Sequence, residues 1–198
     1  DLMGNGGNVL DALAYAHEKG VKPMLGYNCS AGWVNGAPTP QYRLNKHEDR
    51  LKEYQMLKDN GVTGIKIDFF PDDKAETMDY YIDLLEDAVP YNLTITFHGA
   101  TAPRVWQRTY PNLMTVEAVY GAEWYNNNSF LTTRAAVHNT TILFTRNLIG
   151  SMDYTPGTFT DSQNPHITTD GHELALMVAF ESAMQHMPDR PSAYAALP

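Results

Sequence analysis

Apolar and polar side chains alternate along residues 64–70, where two isoleucines alternate with Lys66 and Asp68. Such a short run, rich in β-branched and aromatic residues and preceded by Asn-Gly, predicts a buried strand of a parallel sheet. A carboxylate near the C-terminal end of such a strand is costly unless it is paired or used. Asp68 is therefore either a candidate catalytic carboxylate or a side chain that pairs with Lys66 or caps the following turn.

Runs with a 3.6-residue period predict helices on both sides of this strand. The clearest stripe lies in residues 74–88, and its apolar face is expected to pack into the core. The signals in residues 140–149 are mixed and favour a helix, whereas the polar run 125–129 predicts a surface loop. The predicted helices cover residues 9–19, 45–60, 74–88, 140–149 and 169–187.

Strands are predicted near residues 24, 67, 95, 115 and 152, and helices separate them. Crossovers too long for hairpins indicate a parallel sheet with helices outside it. A complete eight-unit barrel takes about 250 residues, so the 198 residues predict one partial (β/α)8 TIM-type barrel domain that lacks its first strands and its last. An open doubly wound sheet is the alternative, although no glycine-rich phosphate-binding motif follows any strand.

Composition excludes several classes of function without naming a substrate. The formal net charge is -9 and there is no basic run, which argues against non-specific binding to nucleic acid. No apolar run approaches the roughly 18 residues of a membrane span. Cys29 is the only cysteine, so the chain has no internal disulfide and no cysteine-based zinc site.

Acidic and histidine side chains recur at the ends of successive predicted strands. Asp68, His98, Glu117 and Asp153 occupy these ends, and Glu123 follows shortly after Glu117. In a barrel, the C-terminal ends of the strands form one rim, so these side chains are expected to converge. Carboxylates beside a histidine suit glycoside hydrolysis or a site for a hard divalent cation.

A tryptophan lies in the loop that follows the first predicted strand. Trp33 belongs to the glycine- and proline-containing residues 28–40. Loops after parallel strands often carry binding residues, and an indole ring offers a platform for a sugar. Trp33 is therefore a candidate substrate contact, with packing beneath the loop as the more common alternative.

Four runs of the chain resemble the catalytic barrel of glycoside hydrolase family 97, in the order found in that family: GIKIDFF, FHGATAPRVWQRTYPNLMTVEAVYGAEW, LFTRNLIGSMDYTPGTF and HELALMVAFESAMQ. The resemblance covers nearly the whole chain, and its second run is the most specific. It implies a calcium-dependent bacterial α-glycosidase, periplasmic or secreted, that acts on oligosaccharides or other α-glycosides. It also implies an N-terminal β-sandwich domain and a C-terminal β domain, both missing here. We therefore expect this piece to be inactive alone or to assemble with the rest.

Two markers distinguish the mechanistic branches of that family. The retaining branch has an aspartate nucleophile in a KxDF strand and a glycine after the motif histidine, whereas the inverting branch has a glutamate after that histidine. Asp68 and the pair His98-Gly99 resemble the retaining branch, which is typified by α-galactosidases. An α-glucosidase on the same residues, or a non-catalytic carbohydrate-binding barrel piece, remains an alternative.

The resemblance also implies a role for each site residue. Asp68 would be the nucleophile and Glu123 the general acid/base of a retaining mechanism. Lys66 and His98 would contact the sugar. Glu117 and Glu123 would bind Ca²⁺, while Asp153 would only shape the rim.

Overall fold

The computed structural model of the chain describes residues 3–4, 7–29, 42–127, 129–161 and 163–197. The chain forms two compact units. The first comprises Asp1–Thr101 and Trp106–Met114, and the second comprises Ala102–Val105 and Thr115–Pro198. No helix in the described part of the chain is long and apolar enough to cross a membrane.

The first unit alternates strands with helices, as the sequence predicts. It opens with an antiparallel pair of two-residue strands that the sequence analysis missed, β1 (Met3–Gly4) and β2 (Gly7–Asn8). Its helices are α1 (Val9–Glu18), α2 (His47–Asp59) and α3 (Ala75–Ala88). Its longer strands are β3 (Met24–Asn28), β4 (Gly64–Asp68) and β5 (Thr94–Phe97), followed by β6 (Leu113–Val116), which begins in this unit and ends in the next.

One sheet contains these longer strands in the order β3-β4-β5-β6. β3 and β4 run parallel with Asn28 opposite Asp68, and β4 and β5 run parallel with Ile67 opposite Phe97. Parallel neighbours joined by helices are the repeating unit of an α/β fold. The predicted parallel sheet is therefore confirmed, and its closure into an eight-stranded barrel stays a prediction.

Aromatic packing supports the strand ends of the first unit. Ile65 and Ile67 of β4 and Tyr81 of α3 have no solvent exposure. The Tyr81 ring stacks on Phe70 with centroids 4.0 Å apart, and Phe97 meets both rings edge-on. Burial of each such side chain stabilises the fold by about 1.5–3 kcal/mol. This aromatic cluster therefore stabilises the backbone of the turn that follows β4.

Local hydrogen bonds begin the helices close to where the sequence predicts. The side chain of Asn8 accepts from the backbone N–H of Leu10 at 2.8 Å and caps α1. Gly20 follows the helix at φ +70°, a conformation that glycine adopts without strain. Before α3, Asp72 accepts hydrogen bonds from the Thr77 hydroxyl and from a backbone N–H. Asn8 thus caps α1, whereas the bonds to Asp72 hold the turn that leads into α3.

The second unit is mostly helical. Its helices are α4 (Ser129–Leu143), α5 (Asp170–Ala179) and α6 (Pro191–Ala195), with 3₁₀ turns at Ala122–Asn126 and Arg146–Ile149. A single parallel bridge joins Val116 to Met152, so the short strand predicted near residue 152 is reduced to one pair. Its hydrophobic core includes Leu131, Ala135, Ile142, Met152, Tyr154, Leu176 and Phe180.

Two predictions for the segment between residues 125 and 149 are only partly confirmed. Asn126, Asn127 and Ser129 lie at the surface as predicted, but the run is not a loop, because Tyr125 is buried within a 3₁₀ turn and α4 begins at Ser129. The helix predicted over 140–149 starts eleven residues earlier (140 − 129) and ends at Leu143. Threonines and few charges cover the exposed face of α4, so polarity does not reveal its period.

The long helix predicted over 169–187 ends at Ala179. Phe180 is extended, and the side-chain amide of Gln185 donates to the carbonyls of Met177 and Phe180 at 2.8 and 2.9 Å. The backbone N–H of Met152 donates to the carbonyl of Glu181. These hydrogen bonds take the place of a further helical turn. The local sequence pattern did not reveal that the helix ends at Ala179.

Candidate active site

In the first unit, the backbone and the side chain of Asp68 are both held at the end of β4. Its Oδ1 atom accepts from the backbone N–H of Phe69 at 2.6 Å. Its carbonyl accepts from the backbone N–H of Cys29 at 2.9 Å. Phe69 has a φ of +68°, which is uncommon for a non-glycine residue and marks a strained turn. The carboxylate is therefore fixed rather than free to rotate.

Gly99 leaves the space that this carboxylate occupies. It has a φ of +50°, and a Cβ atom built on it would lie 2.6 Å from Oδ1 of Asp68 and 2.9 Å from the backbone nitrogen of Phe69. The Gly99 carbonyl also accepts from the backbone N–H of Phe70 at 3.0 Å. A larger side chain at position 99 is therefore incompatible with Asp68 in this position.

The two predicted sugar contacts of the first unit lie on neighbouring strands. His98 directly follows β5, is 6% exposed, and its backbone N–H donates to the carbonyl of Ile67 at 2.8 Å. Lys66 lies within β4 and is half-buried. Trp33, the third predicted sugar contact, lies outside the described residues.

In the second unit, two glutamates approach each other after β6. Glu117 is buried at the end of the strand, and Glu123 is exposed in the first turn of the 3₁₀ segment Ala122–Asn126. A carboxylate oxygen of Glu117 lies within 4.8 Å of a carboxylate oxygen of Glu123. Two anionic oxygens at this separation are chemically suited to a hard cation such as Ca²⁺. The structure thus brings together both predicted metal ligands.

A buried guanidinium organises the turn that carries Glu117. Ala118 has a φ of +38°, so the backbone after Glu117 is strained. Burial lowers the pKa of Arg146 to about 10, although the nearby Glu117 opposes this shift. The Arg146 guanidinium donates to the carbonyls of Val116, Glu117, Ala118, Gly150 and Ser151 at 2.6, 3.3, 3.2, 2.9 and 3.3 Å.

The turn that carries Glu123 is fixed by backbone contacts. The backbone N–H of Ala122 donates to the carbonyl of Tyr154 at 2.9 Å. The Asn164 side chain donates to the carbonyl of Tyr125 at 2.7 Å. Glu123 is therefore exposed but sits on a backbone that is anchored on both sides.

His166 and the buried Glu173 form a polar cluster close to Tyr125. The His166 ring stacks on Tyr125 with centroids 4.0 Å apart, and its Nδ1 atom lies 2.9 Å from Oδ1 of Asp161. Glu173 is 2% exposed. Burial raises the pKa of the Glu173 carboxyl, against the opposing effect of His166 and His172.

Asp153 is fully buried, and both its backbone and its side chain are hydrogen-bonded. Its backbone N–H donates to the carbonyl of Val116 at 3.1 Å. Its Oδ1 atom lies 2.8 Å from Nδ1 of His186, a histidine that is 31% exposed. Neither His186 nor Arg146 was predicted as a site residue, and the only sequence signal for Arg146 is its place in the LFTRN run.

Comparison with known proteins decides the family. The sequence profile described as Glycoside hydrolase 97 matches residues 3–119, which is more than half of the chain. The chain belongs to glycoside hydrolase family 97. The family suggested by the four sequence runs is therefore confirmed.

Curated relatives within the family are longer than this chain. It is 36% identical to a probable retaining alpha-galactosidase of Streptomyces bingchenggensis, over 95% of this chain and 27% of that protein. It is 31% identical to a retaining alpha-galactosidase of Bacteroides thetaiotaomicron, over 68% of this chain and 22% of that protein. The chain thus spans about a quarter of the length of these relatives.

Solved structures agree on the fold. The crystal structure of a beta-arabinopyranosidase superposes with a TM-score of 0.89 at 34% identity, over 96% of this chain and 31% of that one. A family 97 enzyme from Pseudoalteromonas sp. strain K8, solved with acarbose, superposes with a TM-score of 0.78 at 22% identity, over 96% of this chain and 30% of that one. The second likeness concerns the fold alone.

Proposed function

We propose that this family 97 chain is the catalytic barrel portion of a retaining α-glycosidase that removes terminal α-galactosyl groups. The observation that carries the proposal is the close approach of Gly99 to Asp68. The space beside β4 accommodates the Asp68 carboxylate only because position 99 has no Cβ atom. A glutamate at position 99, the base of an inverting enzyme, would collide with it.

In the proposed mechanism the reaction proceeds by double displacement. The Asp68 carboxylate attacks C1 of the sugar while Glu123 gives its proton to the departing glycosidic oxygen. Glu123 then removes a proton from water, the water oxygen attacks C1, and the bond to Asp68 breaks. The Phe69 amide orients the nucleophile, and Lys66 and His98 hold sugar hydroxyls. The proposal requires the carboxyls of Asp68 and Glu123 to lie about 5–5.5 Å apart.

Glu117 and Glu123 would hold Ca²⁺ in this proposal. The closeness of their oxygens within the second unit supports it, because hard cations favour clustered carboxylates. The bound ion would supply positive charge beside Glu123 and fix the orientation of its carboxylate. Removal of the ion with a chelator is expected to abolish turnover, and addition of Ca²⁺ is expected to restore it.

Removal of the nucleophile tests the mechanism in the whole protein that carries this chain. Asp68→Gly is expected to lower kcat by about 10⁴-fold or more, because no covalent intermediate can form. Azide should restore turnover of an aryl α-galactoside and yield β-galactosyl azide. NMR of the first product of the unaltered protein should show α-galactose. Initial release of β-galactose would contradict the retaining mechanism.

A β-arabinopyranosidase is the second candidate function. The likeness to a solved enzyme of that name at 34% identity favours it. β-L-Arabinopyranose has the ring hydroxyl arrangement of α-D-galactopyranose but lacks its hydroxymethyl group, so the same residues suit both sugars. Turnover of matched nitrophenyl α-galactoside, β-L-arabinopyranoside and α-glucoside distinguishes these candidates from the α-glucosidase alternative. Binding without turnover of any of them would favour a non-catalytic carbohydrate-binding role.

We also make two proposals about the domains and the cellular location of the active protein. We expect the active protein to include the β-sandwich and C-terminal β domains that the family resemblance implies. We also expect it to be exported to the periplasm or beyond the cell. Fractionation of a producing bacterium checks the second expectation, and retention in the cytoplasm would contradict it.

A further inference from the structure

A buried carboxylate fixes one edge of the His186 ring in the second unit. The Asp153 side chain is 0% exposed, and its Oδ1 atom lies 2.8 Å from Nδ1 of His186. An ionised carboxylate at Nδ1 favours the tautomer that carries its proton there, which leaves Nε2 as a hydrogen-bond acceptor. Among the described residues, Nε2 of His186 has no hydrogen-bond partner, and the side chain is 31% exposed.

The pair lies at the strand end that also carries Glu117. Val116 and Met152 are parallel bridge partners, and the Asp153 N–H donates to the Val116 carbonyl. Glu117 and Asp153 each follow one of these partners, so they occupy neighbouring positions in register. The backbones of Glu117 and Asp153 therefore leave this bridge side by side. His186 is therefore hydrogen-bonded to Asp153, the residue that lies beside Glu117 after the bridge.

Hydrogen bonds anchor the segment that leads into His186. The Ser182 hydroxyl donates to Thr115 of β6 at 3.0 Å and contacts the carbonyl of Met184. The side chain of Gln185 donates to the end of α5. A rigid ring with one occupied nitrogen and one available nitrogen is suited to receiving a ligand hydroxyl.

We propose that His186 contacts the substrate, with its Nε2 atom accepting a hydrogen bond from a hydroxyl group of the bound sugar. Asp153 is the positioning residue that selects the tautomer. The inference rests on the proposed function, because it assumes a pyranose at this strand end. It adds a sugar contact that comes from the segment after α5, outside the strands of the sheet.

His186→Asn separates sugar binding from a purely structural role. The asparagine amide nitrogen takes the place of Nδ1 and keeps the bond to Asp153, but no atom replaces Nε2. We expect the KM for an aryl α-galactoside and the Kd for free galactose by calorimetry to rise about tenfold. We expect kcat to change less than threefold and the thermal midpoint to stay near that of the unaltered protein. His186→Gln, which loses the bond to Asp153, should lower the thermal midpoint.

Singly deoxygenated galactoses identify the hydroxyl involved. One of them should bind equally to the unaltered protein and to His186→Asn, whereas the others should still bind the variant about tenfold more weakly. Unchanged galactose affinity in a folded His186→Asn protein would overturn the inference. That result is distinct from failure of the proposed function, in which Asp68→Gly would keep full turnover. Absence of any galactose or arabinose binding to the unaltered protein would overturn both.

Discussion

The two units of this family 97 chain hold their acidic side chains in different ways. In the first unit, the Asp68 carboxylate is bonded to the next backbone N–H and occupies space left by the missing Cβ of Gly99. In the second unit, side chains from distant segments do this work, since Arg146 bonds the backbone around Glu117 and His186 bonds Asp153. A strand-end carboxylate can thus be fixed by the backbone of its own and neighbouring strand ends or by a network of polar side chains from distant segments. The two solutions should respond differently to mutation.

Loss of the guanidinium should have the largest effect on stability. Arg146→Met leaves five carbonyls without this donor. We expect the free energy of unfolding to fall by about 3–5 kcal/mol, because several buried acceptors lose their donor at once. Urea denaturation measures this loss.

Two variants define what the Arg146 result means. Arg146→Lys should lose less, because an ammonium reaches only some of the carbonyls that a planar fork reaches. The exposed Arg190, altered to Met, is the matched control and should change stability by less than about 0.5 kcal/mol. If Arg146→Met were as stable as the control, the long-range network would not support the second unit.

A single methyl group should break the arrangement of the first unit. Gly99→Ala places a Cβ atom where Oδ1 of Asp68 lies, at a φ of +50°. If Asp68 is the nucleophile, as proposed, we expect kcat/KM of the whole protein to fall by about 100-fold, because displacement of a reacting group by about 1 Å has that consequence. Assays with an aryl α-galactoside measure the change. Gly171→Ala is the control, since its nearest neighbour would be 3.7 Å away, and near-normal activity in both variants would contradict the steric argument.

The same contrast explains which parts the sequence could predict. Strands β3 to β6 and helices α1 to α3 follow from local periodicity and turn residues, and strand ends pointed to His98 and Glu117. The early start of α4 was hidden because its exposed face carries few charges, whereas the end of α5 at Ala179 and the roles of Arg146 and His186 depend on hydrogen bonds with other segments. Such bonds leave no period in the sequence, so pattern analysis could not detect them. The family resemblance named Glu123 but gave no reason for its position.

Buried charge should make the second unit sensitive to pH. Burial raises the pKa of Glu173 above its ordinary value of 4.5, so the folded state holds this proton to higher pH than the unfolded state. Below pH 4.5, Glu173 therefore does not change the free energy of unfolding. The free energy of unfolding declines as the pH rises from there through the folded-state pKa of Glu173. Unfolding measured from pH 4 to 8 should show this decline, and Glu173→Gln should reduce it.

An exposed glutamate provides the comparison for this pH dependence. Glu48 lies exposed in the first turn of α2, and Glu48→Gln should leave the decline as it is in the unaltered protein. Glu173→Gln should be more stable than Glu48→Gln only at the upper end of the pH range. An identical pH profile in both variants would mean that Glu173 does not carry the effect.

Helix caps offer the smallest effect and the only one expected to be similar in both units. Asn8 accepts from the N–H of Leu10 at 2.8 Å, and the Thr169 hydroxyl accepts from the N–H of His172 at 3.2 Å. Alanine at either position should cost about 1 kcal/mol, with the larger loss at Asn8, because asparagine is the stronger cap and its bond is shorter. Denaturation of each variant measures the loss. A loss at Thr169 well above that at Asn8 would show that α5 depends on its cap more than α1 does. The polar network of the second unit would then extend to the start of that helix, where His172 also contacts Asn139.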